Sequence, residues 1–141
     1  MSDVTTFALP CVPRRVLLVE DNIDLREIFR LSLMLDGHEV HVAEDGVGGL
    51  DLAMRIDPDI VITDLGLPGL NGYQLAQRLR ALWGTRDKTL IALTGHAEDE
   101  VGLRVAEAGF DAHLTKPVEA HTLRRLVASP AAVAATTKFK V

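Results

Sequence analysis

Polar residues that could do chemistry follow short apolar runs at several points of this 141-residue chain. Glu20 and Asp21 come directly after "RVLLV", and Asp64 comes after "DIVIT". Thr94 ends "TLIALT", and Lys116 follows "DAHLT". Carboxylate oxygens are ligands that Mg²⁺ prefers, and a carboxylate is also a competent nucleophile toward phosphorus. A hydroxyl and an ammonium can absorb charge that develops on a transferring phosphoryl group. If these side chains lie together, the chemistry they favour is phosphoryl transfer to Asp64.

The apolar pattern from residue 15 onward alternates between short continuous runs and helical spacing. Runs such as "RVLLV" and "DIVIT" are typical of strands that are buried on both faces. Five such strands alternating with five helices predict parallel pairing with right-handed crossovers. The predicted fold is therefore α/β, a three-layer, doubly wound (flavodoxin-like) five-stranded parallel sheet. The order 2-1-3-4-5 is one of the two common strand orders for this size.

The predicted helices have apolar stripes and end signals that should fix their orientation. The first and third predicted helices have apolar residues at helical spacing; these comprise Leu25, Ile28, Leu31, Leu35, Leu75, Leu79 and Leu82. Asp45 is expected to open the second helix as its N-cap. Gly48 and Gly49 should each cost that helix about 1 kcal/mol relative to Ala.

Parallel strand order places the polar strand ends in one small volume. Strands 1 and 3 are neighbours in the order 2-1-3-4-5, so the acidic pair and Asp64 should converge. Strands 4 and 5 then place Thr94 and Lys116 on the other side of Asp64. Clustered carboxylates repel one another unless a cation relieves them, and an all-oxygen site suits Mg²⁺. Gly95 would leave a phosphoryl group room to enter, so we expect Asp64 to be phosphorylated.

Composition limits the class of protein. The net charge of −5 and the pI of about 5.5, without a Lys/Arg cluster, argue against a direct nucleic-acid-binding surface. No apolar run approaches the roughly 20 residues of a membrane span, and the N-terminus lacks the features of a signal peptide. Cys11 has no second cysteine with which to form an internal disulfide, which fits a reducing cytoplasm. We therefore expect a cytoplasmic protein without membrane insertion.

The chain is expected to form one domain with short flanking segments. Residues 1–13 should be a flexible leader, 14–128 the domain and 129–141 a flexible tail. A tail of this length is too short to fold alone, so no output domain is expected.

Each polar residue also has a plain structural interpretation when it is taken alone. The acidic pair could stabilise the N-terminus of the next helix, and Asp64 could form a turn before Gly and Pro. Thr94 could be a helix N-cap, and Lys116 a surface lysine. These interpretations would have to coincide at four strand ends, which favours a shared site.

The residues at these places resemble a response-regulator receiver domain over nearly all of 15–128. The matching segments, in chain order, are "VLLVEDN", "DIVITDLGLPGLNG", "ALTGHA" and "AGFDAHLTKPV". The longer stretches "DLGLPGLNGYQLAQRLR" and "GFDAHLTKPV" look like receivers attached to, or partnered with, hybrid histidine kinases. The chain is thus either a stand-alone receiver or a receiver cut from a longer hybrid kinase.

The resemblance implies roles for individual residues. A phosphoryl group would move to Asp64 from the histidine of a sensor histidine kinase or a histidine phosphotransfer protein. Mg²⁺ would be held by Asp21, Asp64 and the carbonyl of Gly66, with Glu20 acting mainly through water. The domain would catalyse only its own phosphorylation and dephosphorylation, so it is not expected to be an enzyme in the usual sense.

The resemblance also implies a cis peptide before Pro117, which would aim Lys116. The donor histidine helix would dock against the first helix, at Leu25 and Ile28, and against the loops around Asp64. The output surface would be formed by helix 4, strand 5 and helix 5, and the sequence does not name its downstream protein target.

Positions that flank the site in the family pattern should tune the rate of dephosphorylation. Gly66 has no side chain with which to shield an acyl phosphate, and His96 either positions water or faces solvent. His113 departs from the family, which usually has Tyr or Phe at this switch position. A histidine there puts the usual aromatic switch in doubt, and it would make the response sensitive to pH between 5 and 8.

Other functions fit the sequence less well. Haloacid-dehalogenase phosphatases also have an aspartate nucleophile after a strand, but they carry a second Asp where this chain has Gly66. A flavodoxin-type cofactor binder would have a hydroxyl-rich phosphate loop where this chain has "EDNID". A receiver fold used only for docking would not need the complete acidic pair, Asp64, Thr94 and Lys116.

Overall fold

The structure is a computed structural model that describes residues 12–84, 86–95 and 99–129, without the side chains of 99–101. Five strands alternate with five helices along the chain. The elements are β1 (Arg15–Val19), α1 (Ile23–Leu35), β2 (Glu39–Ala43), α2 (Gly46–Ile56), β3 (Ile60–Asp64), α3 (Gly72–Trp83), β4 (Thr89–Thr94), α4 (Asp99–Ala108), β5 (Ala112–Thr115) and α5 (Ala120–Ala128). Most of the predicted leader and tail, including Cys11, lies outside the described residues.

The strands form one parallel sheet in the order β2-β1-β3-β4-β5, which confirms the predicted topology. Its register pairs Val19 of β1 with Thr63 of β3, and Asp64 of β3 with Leu93 of β4. The carboxyl ends of β1, β3 and β4 therefore lie side by side at one edge of the sheet.

The sheet has a hydrophobic core on each face. Because side chains alternate along a strand, Leu17 and Val19 of β1 face one core while Val16 and Leu18 face the other. Helices α2, α3 and α4 cover the first core, and α1 and α5 cover the second. This is the predicted three-layer arrangement, with both faces of the sheet buried.

The apolar residues of α1 divide between the core and the surface. Phe29 and Leu33 are buried in the core, and Leu25 packs against it while partly buried. Ile28, Leu31 and Leu35, from the predicted apolar spacing, are 52%, 52% and 78% exposed. The helix has two apolar stripes, and the one containing the bulky Phe29 faces the sheet. The other stripe remains as an apolar surface on α1.

The predicted stripe of α3 is partly confirmed. Leu75 and Leu79 are fully buried, whereas Leu82 is 54% exposed. Trp83, which is 5% exposed, lies against the core in its place, with the Nζ atom of Lys88 5.4 Å from its ring centroid.

Helix α2 begins as the sequence predicts, with the Asp45 side chain accepting a hydrogen bond from the Gly48 N–H. Its glycines also meet a packing requirement that periodicity does not show. A Cβ on Gly49 would lie 2.8 Å from a methyl group of Val19, and a Cβ on Gly46 would overlap the Leu70 carbonyl. The glycines therefore let α2 approach β1 and the loop that follows β3.

In the described part of the chain, none of the helices has the length and apolar character needed to cross a membrane.

Candidate functional site

The strand ends bring the predicted polar residues to one edge of the sheet. Glu20 directly follows β1, Asp64 is the last residue of β3 and Thr94 is the last residue of β4. Lys116 directly follows β5, and its backbone N–H donates to the Thr94 carbonyl over 2.7 Å. The topology alone thus explains why residues from four distant segments meet.

Three carboxylates form the acidic part of the site. Ligand oxygens of Glu20, Asp21 and Asp64 all lie within 4.8 Å of one another. Their environments differ, because the Glu20 side chain is fully buried, the Asp64 side chain is 14% exposed and Asp21 is exposed. The cluster therefore has one interior carboxylate and two that a ligand can reach.

Lys116 connects two of these carboxylates. Its Nζ atom lies 3.1 Å from Oε1 of Glu20 and 3.2 Å from Oδ2 of Asp64. Burial works against the charge of Lys116, but the two carboxylates outweigh that effect and raise its pKa. Lys116 is therefore a cation held between the buried and the accessible carboxylate.

Burial raises the pKa of the Glu20 carboxyl above its ordinary value. The neighbouring charge of Asp64 adds to that rise, whereas the Asn22 N–H and Lys116 oppose it. A further cation near these carboxylates would favour the charged form of Glu20.

The turn between β1 and α1 is held by residues that the sequence analysis did not single out. Asn22 is the N-cap of α1, and its side chain accepts from the Leu25 N–H over 3.0 Å. The Asn22 N–H donates to Oε2 of Glu20 over 3.1 Å, and Arg26 donates to the Glu20 carbonyl over 3.0 Å. Since Asn22 caps the helix, the interpretation of the acidic pair as the helix cap is wrong. The signal that could have identified Asn22 was an N-cap residue type immediately before the helical periodicity.

Asp64 does form the turn that its plain structural interpretation requires, while also facing Lys116. Its Oδ1 atom accepts from the Gly66 N–H over 3.2 Å, and its Oδ2 atom faces Lys116. Gly66 is exposed, and no heavy atom of the described residues lies within 4 Å of the position of a Cβ. A Cβ on Gly72 would overlap the Asp64 backbone. The loop after β3 is thus tight at Gly72 and open at Gly66.

The remaining predicted residues lie around this centre. Thr94 is 3% exposed, and Gly95 beside it is exposed, with no atom of the described part of the chain within 4 Å of the position of a Cβ. The peptide between Lys116 and Pro117 is cis, as the family resemblance implied. His113 of β5 is partly buried, and its Cε1 atom lies 3.6 Å from the position of a Cβ on Gly102 in α4. His96 lies outside the described residues, so its role stays a prediction.

The donor set fits a divalent cation that prefers oxygen ligands. Asp21 and Asp64 present accessible carboxylates, and the carbonyl of Gly66 belongs to the open part of the loop. Both oxygens of Glu20 already accept hydrogen bonds, from Lys116 and from the Asn22 N–H. That arrangement favours an indirect role for Glu20, through a water held between it and the ion. In the described residues this is the acidic group with the spacing of a metal site.

Comparison with known proteins agrees with this geometry. The sequence model described as "Response regulator receiver domain" matches residues 16–128. Over 108 residues the chain is 40% identical to "Response regulator MprA" of Mycobacterium sp. (strain KMS), an alignment covering 75% of this chain and 45% of that protein. The chain thus spans less than half the length of this curated relative.

Solved structures show the same fold. CheY4, a chemotaxis response regulator of Vibrio cholerae, has a TM-score of 0.77 at 26% identity, covering 82% of this chain and 97% of that one. The receiver domain of sensor histidine kinase PA1611 from Pseudomonas aeruginosa PAO1 has a TM-score of 0.73 at 30% identity, covering 82% and 95%. In that structure a magnesium ion is coordinated in the active-site cleft.

Proposed function

Because this chain belongs to the response regulator receiver domain family, whose members are phosphoacceptors in two-component signalling, we propose that Asp64 accepts the phosphoryl group. The observation that carries the proposal is the position of the Asp64 carboxylate. One oxygen lies 3.2 Å from the Lys116 ammonium, and the carboxylate stands within 4.8 Å of two further acidic side chains. An accessible carboxylate beside a fixed cation is suited to attack at phosphorus.

The proposed phosphoryl transfer forms one bond and breaks one bond, between phosphorus and the acceptor and donor atoms. A bond forms between an Asp64 carboxylate oxygen and phosphorus, and the bond between phosphorus and the imidazole nitrogen of the donor breaks. The electron pair of that bond returns to the imidazole nitrogen, which takes up a proton. No oxidant, reductant or further substrate is required.

Residues of this chain stabilise the charge that develops on the phosphoryl oxygens. Lys116 is already fixed beside Asp64 and needs little reorganisation to meet a phosphoryl oxygen. The Thr94 hydroxyl, at the end of the neighbouring strand, is the second donor. Gly95 leaves the approach to Thr94 open, which admits the group that is transferred.

Mg²⁺ is the cofactor that we propose for this site. Asp21, Asp64 and the Gly66 carbonyl would hold it, with Glu20 acting through water. When bound, such an ion neutralises phosphoryl oxygens and the clustered carboxylates. The oxygen-only donor set supports this assignment, as does the magnesium ion in the PA1611 receiver domain.

The proposed phosphodonor is the histidine of a sensor histidine kinase or of a histidine phosphotransfer protein. Helix α1 supports this choice, because its exposed apolar stripe adjoins the turn that carries the acidic pair. Ile28 and Leu31 are each 52% exposed on this stripe. An apolar face next to the acceptor is suited to dock the helix that carries the donor histidine.

We propose further that the chain acts by changing protein contacts after phosphorylation and turns over no separate substrate. The downstream target is a protein that distinguishes the phosphorylated from the unphosphorylated domain. The acceptor, its neighbouring cation and the open loop at Gly66 support this proposal, because phosphorylation of Asp64 would change the charge and the contacts of this surface.

Intact-protein mass after incubation with acetyl phosphate tests the acceptor. The wild-type chain should gain one phosphoryl group in the presence of Mg²⁺ and much less without it, and Asp64→Asn should gain none. Asp51→Asn is the matched control, because Asp51 is an exposed carboxylate on α2 that pairs with Arg55. Equal labelling of Asp64→Asn and wild type would show that another residue is the acceptor. Should acetyl phosphate label neither protein, a phosphorylated histidine phosphotransfer protein replaces it, and a wild-type chain that accepts nothing from that donor contradicts the proposal.

A further inference from the structure

We propose that Arg26 is a positioning residue for the divalent-cation site. By holding the Glu20 carbonyl, it fixes the turn that presents the acidic pair. The inference rests on the proposed function, since it concerns the same site. Arg26 itself is not among the groups that would touch the ion or the phosphoryl group.

The guanidinium of Arg26 reaches back across the turn that precedes α1. Its Nη1 atom donates to the Glu20 carbonyl over 3.0 Å, and the Arg26 backbone N–H donates to the Asn22 carbonyl over 3.0 Å. The backbone bond is the ordinary i→i−4 bond of the helix, so the contact that depends on the arginine side chain is the one to the Glu20 carbonyl. The side chain is partly buried, so this contact is less screened by solvent than a surface contact.

The position of the Glu20 carbonyl affects the direction of the backbone that follows it. It belongs to the peptide unit that joins Glu20 to Asp21, and that unit is planar. Fixing the carbonyl therefore fixes the direction in which the chain continues, and with it the place from which the Asp21 side chain projects. The accessible carboxylate of the pair depends in this way on a guanidinium that does not contact it.

The other groups of Glu20 are held as well. Its N–H donates to the Ala43 carbonyl over 3.1 Å, and its carboxylate accepts from the Asn22 N–H and from Lys116. The Arg26 side chain donates to the remaining polar group, the Glu20 carbonyl. Without it, the carbonyl would have to turn toward water, and the peptide after Glu20 could rotate.

Charge alone makes the opposite prediction, which gives the proposal a sharp test. Arg26 places a positive charge beside a cluster of carboxylates, and that charge repels Mg²⁺. If Arg26 acted only through its charge, its removal would tighten Mg²⁺ binding. If it positions the acidic turn, its removal weakens binding, because loss of a supporting contact outside the ligand shell commonly lowers metal affinity about 10-fold or more.

Isothermal titration of the metal-free 141-residue chain with MgCl₂ measures this directly. Arg26→Met should bind Mg²⁺ about 10-fold more weakly than wild type. Arg30→Met is the matched control, because Arg30 lies on the same helix and pairs with Glu27 over 2.6 Å. It loses the same charge without touching the turn, so its affinity should be unchanged or slightly tighter. Arg26→Lys keeps the charge and a donor, and it should recover part of the lost affinity.

Hydrogen exchange of the Asn22 amide gives a readout that needs neither metal nor phosphoryl donor. This N–H donates to Glu20 within the turn, so in Arg26→Met it should exchange faster than in wild type, and in Arg30→Met it should not. Tighter or unchanged Mg²⁺ binding by Arg26→Met, with unchanged Asn22 exchange, would overturn the proposal. Wild-type protein that binds no Mg²⁺ would overturn it too. A wild-type chain that binds Mg²⁺ through an Arg26-dependent turn, but leaves Asp64 unphosphorylated, would overturn the proposed function alone.

Discussion

The Nζ atom of Lys116 lies 3.1 Å from Oε1 of Glu20, a residue 96 positions earlier in the chain whose side chain is fully buried. This contact joins the end of β5 to the end of β1 across the whole site. It also gives the interior carboxylate its cation. The site is therefore part of what holds the domain together.

Replacement of Lys116 by Met should destabilise the protein, because it leaves the buried Glu20 carboxylate without its cation. We expect a loss of about 3 kcal/mol in the free energy of unfolding at pH 7, the lower end for a broken buried pair, since Lys116 is itself 26% exposed. Urea unfolding measures it. The deficit should shrink as the pH is lowered, because burial raises the pKa of Glu20 and its protonation removes the charge that needed a partner.

The double variant Glu20→Gln/Lys116→Met is the control for this prediction. It removes both charges, so most of the stability lost in Lys116→Met should return. A double variant no more stable than Lys116→Met would show that the loss has another cause.

His38 should make stability depend on pH near neutrality. Burial lowers the pKa of His38, the charge of Arg14 lowers it further, and Asp36 opposes the shift. Its Nδ1 atom accepts from the Arg14 N–H over 3.0 Å, an interaction of the unprotonated ring. The unfolded chain therefore binds the proton more readily. The stabilisation is fully present above the unfolded pKa of about 6.5 and is lost as the pH falls below it.

Urea midpoints of wild type and His38→Asn between pH 5 and pH 7.5 test this prediction. Asn places an acceptor near the position of Nδ1 but does not titrate, so the variant should lose less stability than wild type over that range. His121→Asn, at an exposed histidine of α5, should keep the wild-type slope. Parallel curves for wild type and His38→Asn would contradict the assignment.

Gly46→Ala should be destabilising although alanine is the better helix former. The added Cβ would overlap the backbone carbonyl of Leu70, in the loop that follows Asp64. Backbone atoms yield less easily than the end of a flexible side chain, so we expect a loss of about 2 kcal/mol or more. Gly66→Ala, in the same loop region but with open space around it, should change stability by less than about 0.5 kcal/mol. Thermal unfolding of the two variants side by side decides the matter, and similar melting temperatures would refute the packing argument.

Ile28→Lys should separate docking from chemistry. Ile28 is 52% exposed on α1, so the substitution should leave the melting temperature and labelling by acetyl phosphate unchanged. Phosphotransfer from a histidine phosphotransfer protein should fall about 10-fold, because a charge would enter the proposed apolar contact. Met54→Lys, at a 56% exposed position on α2, is the matched control. Equal losses with both donors would indicate damage to the site instead.

The sequence predicts the layers of this fold well because a parallel sheet buried on both faces leaves continuous apolar runs. It does not determine which face of α1 is buried, because that helix has apolar residues around much of its circumference. Ile28 and Phe29 are equally apolar, and only the shape of the sheet and of α5 decides which of them is buried. The periodicity of α1 alone therefore could not identify its core face.

For the candidate site, too, part of the geometry could be predicted from the sequence and part could not. Parallel topology requires that Glu20, Asp64 and Lys116 end up at one edge, so their convergence could be predicted from the strand order. The burial of Glu20 could not be predicted in the same way, nor could the hydrogen bond from Arg26 to its carbonyl. Both depend on how a short turn folds back on itself, and neighbouring residue types do not specify that geometry.

The difference in burial between Glu20 and Asp21 has a consequence for how the sheet assembles. Val19 pairs with Thr63, so the next positions along β1 and β3 are Glu20 and Asp64. A slip of one residue would turn every side chain of β1 to the opposite face, moving Asp21 to the place of Glu20 and parting Lys116 from its partner. The ion pair between Lys116 and Glu20 therefore also stabilises the correct register of β1. We expect a sheet with a shifted β1 to be less stable because it lacks this pair.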